Sequence, residues 1–499
     1  MNKITTNTKY IASGDVLFCF LSAEKYLNEE IFQKASKIYC ETGFLERIRN
    51  NSVVKNYSQY KNKIFECHNL KEELVKQLKD KYSLPRQLIA ITGTKGKTST
   101  SWFVMQILGF CGQKCGYIGT LGAYFYDGNK IEKINKDDIL TTPAIDDLYY
   151  YLNEFKQKNI DTAVFEVSSH ALDQARIESL NIDCGVFTNL SQDHLDYHKT
   201  MENYFLAKSL LFSKYQKNGA SCILNADDDM YDPLFKICSK NNLNITSIGK
   251  NNISDAKILS ITNSKDIQNV KFVYKNKEYQ FQTNILGYFQ ISNILEAIFA
   301  CYNISKINLE QLVDCINRLK PPLGRMQRVD NTNVFVDFSH TPKSLEEGIK
   351  LLKQNYHKVI VVFGCGGNRD KQKRPIMCEI ALKIGDFVII TSDNPRFEKP
   401  LDIIKDIICF QDHDVTNPLY QDAFVINEIK KIQEKYLNNY CDYILIEDRK
   451  KAIKYAIDKY AYKEDVAILI AGKGHENYQI INDTKLHFND VEEVLRVLK

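Results

Sequence analysis

The chain is predicted to be an α/β protein of three domains, with a central P-loop-type parallel sheet domain and a C-terminal Rossmann-like domain. Three observations predict this. The apolar run Leu88-Ile89-Ala90-Ile91 leads into Gly93-Thr94-Lys95-Gly96-Lys97-Thr98 and then the helical stretch Ser99–Phe110, a strand, a tight loop and a helix N-terminus. From Leu88 to about Leu319, strand-like runs alternate with helical stretches, the pattern of a parallel sheet covered by helices. In the last third, five apolar strands recur, each followed by a polar or glycine-rich cluster.

Taken in order, residues 1–86 are mixed and lysine-rich, with one strand-like run at Val16-Leu17-Phe18-Cys19-Phe20-Leu21, and Pro85 marks a boundary. Residues 87–320 hold the P-loop strand, then strand-like Ala163–Val167, Cys184–Phe187 and Cys222–Leu224. Helical patterns lie between them at Ile145–Lys156 and Tyr204–Phe212. A less regular β section follows around Val270–Leu286, then a buried helix at Ser292–Tyr302. Pro321-Pro322-Leu323-Gly324 breaks the chain before the last domain, residues 321–499. Its five strands are Val334–Val336, Val359–Phe363, Phe387–Ile390, Tyr443–Ile446 and Val466–Ile470. The clusters that follow are Asp337–His340, Gly364–Arg369, Asp393–Arg396, Glu447–Arg449 and Gly472–Glu476. Ligands of open parallel sheets sit beyond the C-terminal strand ends, so five such clusters predict one composite site. Turns need Gly, Asn and Pro, but not Arg, His and Glu.

Composition narrows the function. The apolar fraction of the 499 residues, 44%, allows globular cores, and 66 basic against 62 acidic residues argue against a dedicated nucleic-acid binder. The 14 cysteines form no C-x-x-C pair, as expected of free thiols in a reducing cytosol. No run approaches the length of a membrane helix and the N-terminus is polar, so a cytoplasmic protein is expected.

The loop after the first strand is an anion nest. Its backbone N–H groups and the helix dipole favour phosphate, Lys97 can reach outer phosphates, and the Thr98 hydroxyl can ligate Mg²⁺. The usual G-x-x-x-x-G-K-[ST] pattern would place Gly where Ile91 stands. Glu166, at a strand end, and His194, in Asp193-His194-Leu195-Asp196, form a candidate Mg²⁺ pair. Mg²⁺ prefers oxygen, and a hydrogen-bonded loop or core histidine is the equal alternative for His170 and His194. Lys208 has apolar neighbours on nearly every side. A buried lysine is costly unless paired or modified, and composition alone favours a snorkelling helix lysine.

These residues together resemble the Mur ligases of peptidoglycan synthesis. The resemblance rests on Thr92–Thr98, Glu166–His170, Thr188–Asp196, Pro322–Met326, Asp337–Pro342, Asp393–Arg396 and Ala471–Glu476, in the family's order. It implies ATP-dependent amide ligation, with an N-terminal domain for the UDP-linked substrate, a central ATP-binding domain and a last domain for the incoming amino acid. ATP is the co-substrate and Mg²⁺ the cofactor. By resemblance, Gly93, Thr94, Lys95, Gly96, Lys97, Thr98, Ser99, Asn293, Arg325, Asp337 and His340 contact ATP, closing the site between domains. Thr98, Glu166 and His194 lie at the metal. Lys97, Glu166, His194 and Lys208 are the catalytic set, and Lys208 is carbamylated to N6-carboxylysine, which reverses the composition-only reading of it. Thr141, Thr142, Ser168, Gln174 and Arg176 match positions that hold a UDP-N-acetylmuramoyl dipeptide.

The segment Asp393-Asn394-Pro395-Arg396 resembles members that add meso-diaminopimelate, whose second carboxylate a guanidinium can bind bidentately. Arg396 is that group, with Arg369, Asp393, Asn394, Gly472 and Glu476 around it. The expected enzyme is a monomer without nucleic-acid partner or membrane insertion; L-lysine addition or a folylpolyglutamate synthase-like ligation is the alternative. Departures from the family pattern are Lys95 for Asn, Gln290 for Asn, Phe338-Ser339 for Tyr-Ala and Asn7-Thr8-Lys9 for Asp-Ser-Arg.

Overall fold

The computed structural model describes residues 2–44, 46–47, 57–135, 139–264, 267–330, 332–408 and 441–499. They form two compact units. The first comprises residues 1–262, 269–283 and 288–319, and the second residues 263–268, 284–287 and 320–499.

At the front of the first unit, a four-stranded parallel sheet is built from Ile4–Thr5, Val16–Cys19, Lys37–Glu41 and Ile64–Cys67. The expected strand at 16–21 stops at Cys19, and a 3₁₀ turn takes over at Leu21. Leu17, Cys19, Ile31, Phe32, Ile38 and Phe44 form a core on one side of this sheet. On the other side, Phe18 and the helix Leu70–Lys81 join the core beneath the larger sheet. Leu70, Leu74 and Leu78, spaced to share one helical face, are buried in one cluster with Leu148, Tyr149 and Leu152. That shared apolar core makes residues 1–86 part of the first unit.

The larger sheet has eleven strands, and its parallel middle carries the P-loop. The P-loop strand Gln87–Thr92 lies between Ile182–Phe187 and Thr162–Glu166, parallel to both. All three are buried along nearly their whole length, as strands covered by helices on both faces must be. The P-loop helix Lys97–Phe110 is buried from Thr98 to Gly109 and the helix Tyr288–Ile304 from Gln290 to Cys301, so neither has the polar stripe of a surface helix along those stretches.

The second unit has a six-stranded sheet. Five of its strands run in the spatial order Val334–Asp337, Val466–Ala471, Lys358–Phe363, Phe387–Ile390 and Tyr443–Leu445, all parallel. The sequence order is broken where the last strand inserts beside the first, a topological switch point of the kind that opens a ligand crevice. The five clusters foreseen after these strands therefore leave the sheet at one edge. The thirteen described cysteines are all free, and no described helix is long and apolar enough to cross a membrane.

Candidate active site

The P-loop is shaped by two glycines in conformations that side chains rarely adopt, Gly93 at φ 149° and Gly96 at φ 86°. A Cβ on Gly93 would collide with Thr188 Oγ1, and one on Gly96 with Asn293 Oδ1. The neighbouring strand end clamps the loop. Thr94 N donates to Asn189 O (2.8 Å) and Lys95 N to Asn189 Oδ1 (3.0 Å), while Lys95 O accepts from Thr188 Oγ1 (2.6 Å). The amide of Asn189 thus does at Lys95 what a side chain of the loop itself could have done. Lys97 Nζ donates to Gly93 O (2.8 Å) and Thr94 O (2.9 Å), and Ser99 is buried in the first turn of the helix.

Glu166 ends its strand opposite Ile91 and is fully buried. Oε1 accepts from Tyr117 OH (2.5 Å) and Thr120 N (2.9 Å), and Oε2 from Thr98 Oγ1 (2.9 Å) and Thr120 Oγ1 (3.1 Å). Among the described residues no lysine or arginine forms an ion pair with it. A buried carboxylate held by neutral donors lacks a counter-charge. Beside the Thr98 hydroxyl it is a hard-oxygen pair, which fits Mg²⁺, an ion held through one or two carboxylates together with waters and phosphate oxygens.

His194 makes no hydrogen bond to that pair among the described residues. Its ring lies 4.9 Å from that of His170 and 6.2 Å from that of Tyr204, and its Nε2 is 3.6 Å from Asp193. Its φ of 51° is left-handed, a region where histidine, with Asn and Asp, is found more often than most side-chain-bearing residues. Among the described residues, no three His, Cys, Asp or Glu side chains gather as a metal cluster.

Lys208 lies near the end of the helix Met201–Leu210, which runs into a π-helical turn at Leu211–Tyr215. It is 1% exposed, donates from Nζ to Gly93 O (2.7 Å) and lies 4.5 Å from the centre of the Tyr204 ring. This overturns the snorkelling reading, because the ammonium does not reach solvent. Burial first, and then the charge of Lys97, push its pKa well below the lysine range, while Asp193 pulls the other way.

The residues matched to the muramoyl peptide do come together. Thr142 Oγ1 donates to Glu166 O (2.9 Å) and accepts from Ser168 N (3.0 Å). Arg176 donates to Thr142 O (2.9 Å) and to Gln174 Oε1 (2.7 Å), and Thr141 Oγ1 is 3.1 Å from Thr120 Oγ1. Asn293 Nδ2 donates to Gln290 Oε1 (3.0 Å), so the glutamine that departs from the family pattern orients this asparagine against the P-loop.

In the second unit, Asp337 accepts from Met326 N (2.7 Å) and from Ser339 Oγ, and burial raises its pKa. The Arg325 guanidinium lies 4.8 Å from the centre of the Phe338 ring, His340 Nδ1 is 2.9 Å from Phe338 O, and burial lowers the pKa of His340. Asn394 is a junction: Nδ2 donates to Glu476 Oε2 (2.7 Å), and Oδ1 accepts from Ile480 N (2.9 Å) and Lys473 Nζ (3.2 Å). Lys473, fully buried, also pairs with Glu476 (3.3 Å) and Asp393 (3.5 Å). Burial pushes Glu476 up while Lys473 pulls it down. Gly472 at φ 119° lets the chain pass beside Asp393.

Arg396, at φ 52°, donates from one terminal nitrogen to Gly367 O (2.9 Å). Its Nε and second terminal nitrogen make no hydrogen bond among the described residues. Gly366 lies against Arg396, whose terminal nitrogen a Cβ there would crowd, and exposed Arg369 is within ordinary contact of the same point. Arg449, foreseen in the fourth strand-end cluster, is fully buried. It is bonded to Asp490 at 2.8 Å and to the carbonyl of Ala471 (3.0 Å), so it braces the sheet edge.

Sequence reasoning missed three parts. Tyr117 and Thr120 clasp Glu166; the signal was Gly119 between them, where a Cβ would collide with Glu166 Oε1. Lys473 stood inside a quoted motif, but only burial gives it a role. Glu296, in the buried helix, carried no local signal.

In the first unit a P-loop is joined through Thr98 to a buried carboxylate, and in the second a parallel sheet carries an acid–amide cluster at its strand ends; both are features of a phosphate-handling α/β enzyme. Residues 91–301 match the Mur ligase middle domain, and residues 324–474 the Mur ligase, glutamate ligase domain. The chain is 39% identical to the UDP-N-acetylmuramoyl-L-alanyl-D-glutamate–2,6-diaminopimelate ligase of Rickettsia conorii, over 83% of this chain and 80% of that protein. It is 35% identical to the protein of that name from Rickettsia bellii, over 98% and 94%. A solved structure of that name, 27% identical, covers 100% of this chain and 94% of its own with a TM-score of 0.64. The chain belongs to the Mur ligase family, and as such is an enzyme of the acid–amino-acid ligase class.

Proposed function

We propose that this ligase joins meso-diaminopimelate to the D-glutamate γ-carboxylate of UDP-N-acetylmuramoyl-L-alanyl-D-glutamate, with ATP as co-substrate and Mg²⁺ as cofactor. The activity named for its relatives in Rickettsia supports the reaction. The observation in the molecule that carries the amino-acid choice is Arg396, whose Nε edge has no protein acceptor among the described residues and matches a carboxylate in geometry.

A carboxylate is a poor electrophile. Transfer of the γ-phosphoryl group to the D-glutamate carboxylate makes an acyl phosphate; the incoming amine attacks its carbonyl carbon, phosphate leaves, and the amine proton is lost. Positioning and charge stabilisation carry most of such a phosphoryl step. The backbone N–H groups of residues 93–98 and Lys97 hold phosphates, with Ser99, Asn293, Arg325, Asp337 and His340 as further ATP contacts. Thr98 and Glu166, with His194, would hold the metal, which when bound neutralises phosphate charge. The depressed pKa of Lys208 supplies a neutral amine that can attack CO₂ and lose a proton, leaving a carbamate. That converts an unpaired buried cation into a carboxylate beside the P-loop.

Thr141, Thr142, Ser168, Gln174 and Arg176 hold the muramoyl peptide. Arg396 with Arg369 binds the distal carboxylate of diaminopimelate, and Asp393, Asn394 and Glu476, beside Gly472, face its amine. The protein acts as a cytoplasmic monomer. Phosphate release driven by amino acid, with UDP-muramoyl dipeptide and ATP, tests this reading. Diaminopimelate should drive turnover and L-lysine should not. Lysine preferred would overturn the specificity, and turnover only with a folate would overturn the reaction.

A further inference from the structure

The helix Tyr288–Ile304 carries an acid that the proposed reaction does not use. Glu296 is 1% exposed. Its Oε2 accepts from Thr100 Oγ1 at 2.9 Å, and its Oε1 has no hydrogen-bond partner among the described residues. Among the described residues Asp228 is the one charged group that acts on it, and no cation offsets its burial. Burial pushes its pKa up to about 8, against the pull of Thr100, so the side chain is a neutral carboxylic acid at neutral pH. An apolar residue would pack here at lower cost than an acid with an unsatisfied oxygen.

Its position explains what the acid can add. Asn293 lies one turn before Glu296, and Gly96 one turn before Thr100, so each pair shares a helix face. Gly96 meets Asn293, Thr100 meets Glu296, and Cys301 Sγ lies 3.8 Å from Val104 O. These are three successive rungs between the P-loop helix and the helix that carries Asn293. The first rung lies in the nucleotide site and the third in the core. The middle rung is the one side chain–side chain hydrogen bond between the two helices among the described residues. Dispersion contacts let packed helices slide or roll slightly, whereas a hydrogen bond has a preferred distance and angle.

We propose that Glu296 is a positioning residue for the nucleotide: through Thr100 it fixes the register of Asn293 against Gly96 of the P-loop. This rests on the reading of the P-loop as the ATP site. The test is ATP affinity, measured with a fluorescent ATP analogue and as KM for ATP in the full-length enzyme. Glu296→Leu should weaken both by about fivefold, the worth of one hydrogen bond, with kcat little changed. Glu296→Gln keeps an acceptor for Thr100 and should restore wild-type affinity. Thr100→Val, which leaves the helix and Glu296 in place, should reproduce the loss and carries the test if Glu296→Leu does not fold. Wild-type affinity in Thr100→Val, or Glu296→Gln as weak as Glu296→Leu, would overturn the proposal. Failure of the wild-type enzyme itself to bind the analogue would instead sink the reading of the P-loop, and the positioning role with it.

Discussion

The two units each bury a lysine beside a functional loop, and they treat it in opposite ways. Lys208, against the P-loop, has a backbone carbonyl and a tyrosine ring for company and no carboxylate at ion-pair distance among the described residues. Lys473, at the strand ends of the second unit, has Asp393, Glu476 and the Asn394 carbonyl oxygen around it. A paired buried charge is scaffold, because removing it strands its partners. An unpaired one is unstable as a cation and is driven towards neutrality, where an amine becomes nucleophilic. The environment of a lysine thus separates a structural residue from a chemical one where residue type alone does not.

Exchanging the two lysines' fates is the most direct way to break this comparison. Lys473→Met leaves Asp393 and Glu476 without their cation, and should cost about 3–5 kcal/mol, read as a lowered denaturation midpoint. Lys208→Met should leave the midpoint unchanged or raised, since it removes a charge that burial penalises. A larger loss of stability at Lys208 than at Lys473 would reverse the assignment. In activity the order inverts: Lys208→Ala should lower phosphate release on the order of a hundredfold, the scale of losing one transition-state charge contact. Short carboxylic acids should restore part of it. Full activity without additive would rule out a carbamate.

Arg396 sharpens the comparison inside the second unit, because its guanidinium is only partly used by the protein while that of Arg449 is wholly used. Arg396→Ala should raise KM for diaminopimelate by about tenfold or more, the worth of a charge-assisted bidentate contact, with ATP-analogue affinity unchanged. Loss of both affinities together would make Arg396 a scaffold residue like Arg449.

Much of this was legible in the residues. The P-loop needed only Gly93, Gly96 and Lys97 between an apolar run and a helix, since those residue types have one common physical use in that order. The parallel sheet of the second unit followed from apolar strands ending in polar clusters. What stayed hidden depended on partners far apart in the chain. Lys208 and Lys473 are both lysines near apolar residues, and only the tertiary position of Gly93 or of Asp393 tells them apart. Arg449 resembled a ligand-binding arginine until Asp490, some forty residues on, closed on it. The shared core of the first unit was hidden for the same reason, because Leu74 and Leu152 belong to helices that look complete by themselves.

The smallest expected effect concerns the pH dependence of the first unit. Glu296 has a folded-state pKa of about 8 against 4.5 for an ordinary glutamate, so between those values the folded protein holds a proton that the unfolded chain has released. Stability then depends on pH with a sign set by which state binds more protons. Here the folded state binds more, so the contribution of Glu296 is fully present below pH 4.5 and declines as pH rises through about 8. Thr100, which donates to the ionised and the neutral acid alike, softens the decline, and Asp228 steepens it. Glu296→Gln cannot release a proton, so its melting temperature should fall less than that of the wild type between pH 6 and pH 9. Buried Lys208 acts with the opposite slope, since its folded-state pKa is depressed. The comparison must therefore be made in a Lys208→Met background as well. Parallel melting curves for Glu296→Gln and its parent in both backgrounds would mean that Glu296 is ionised throughout. The P-loop helix would then be bolted down by a charged group rather than by a neutral acid.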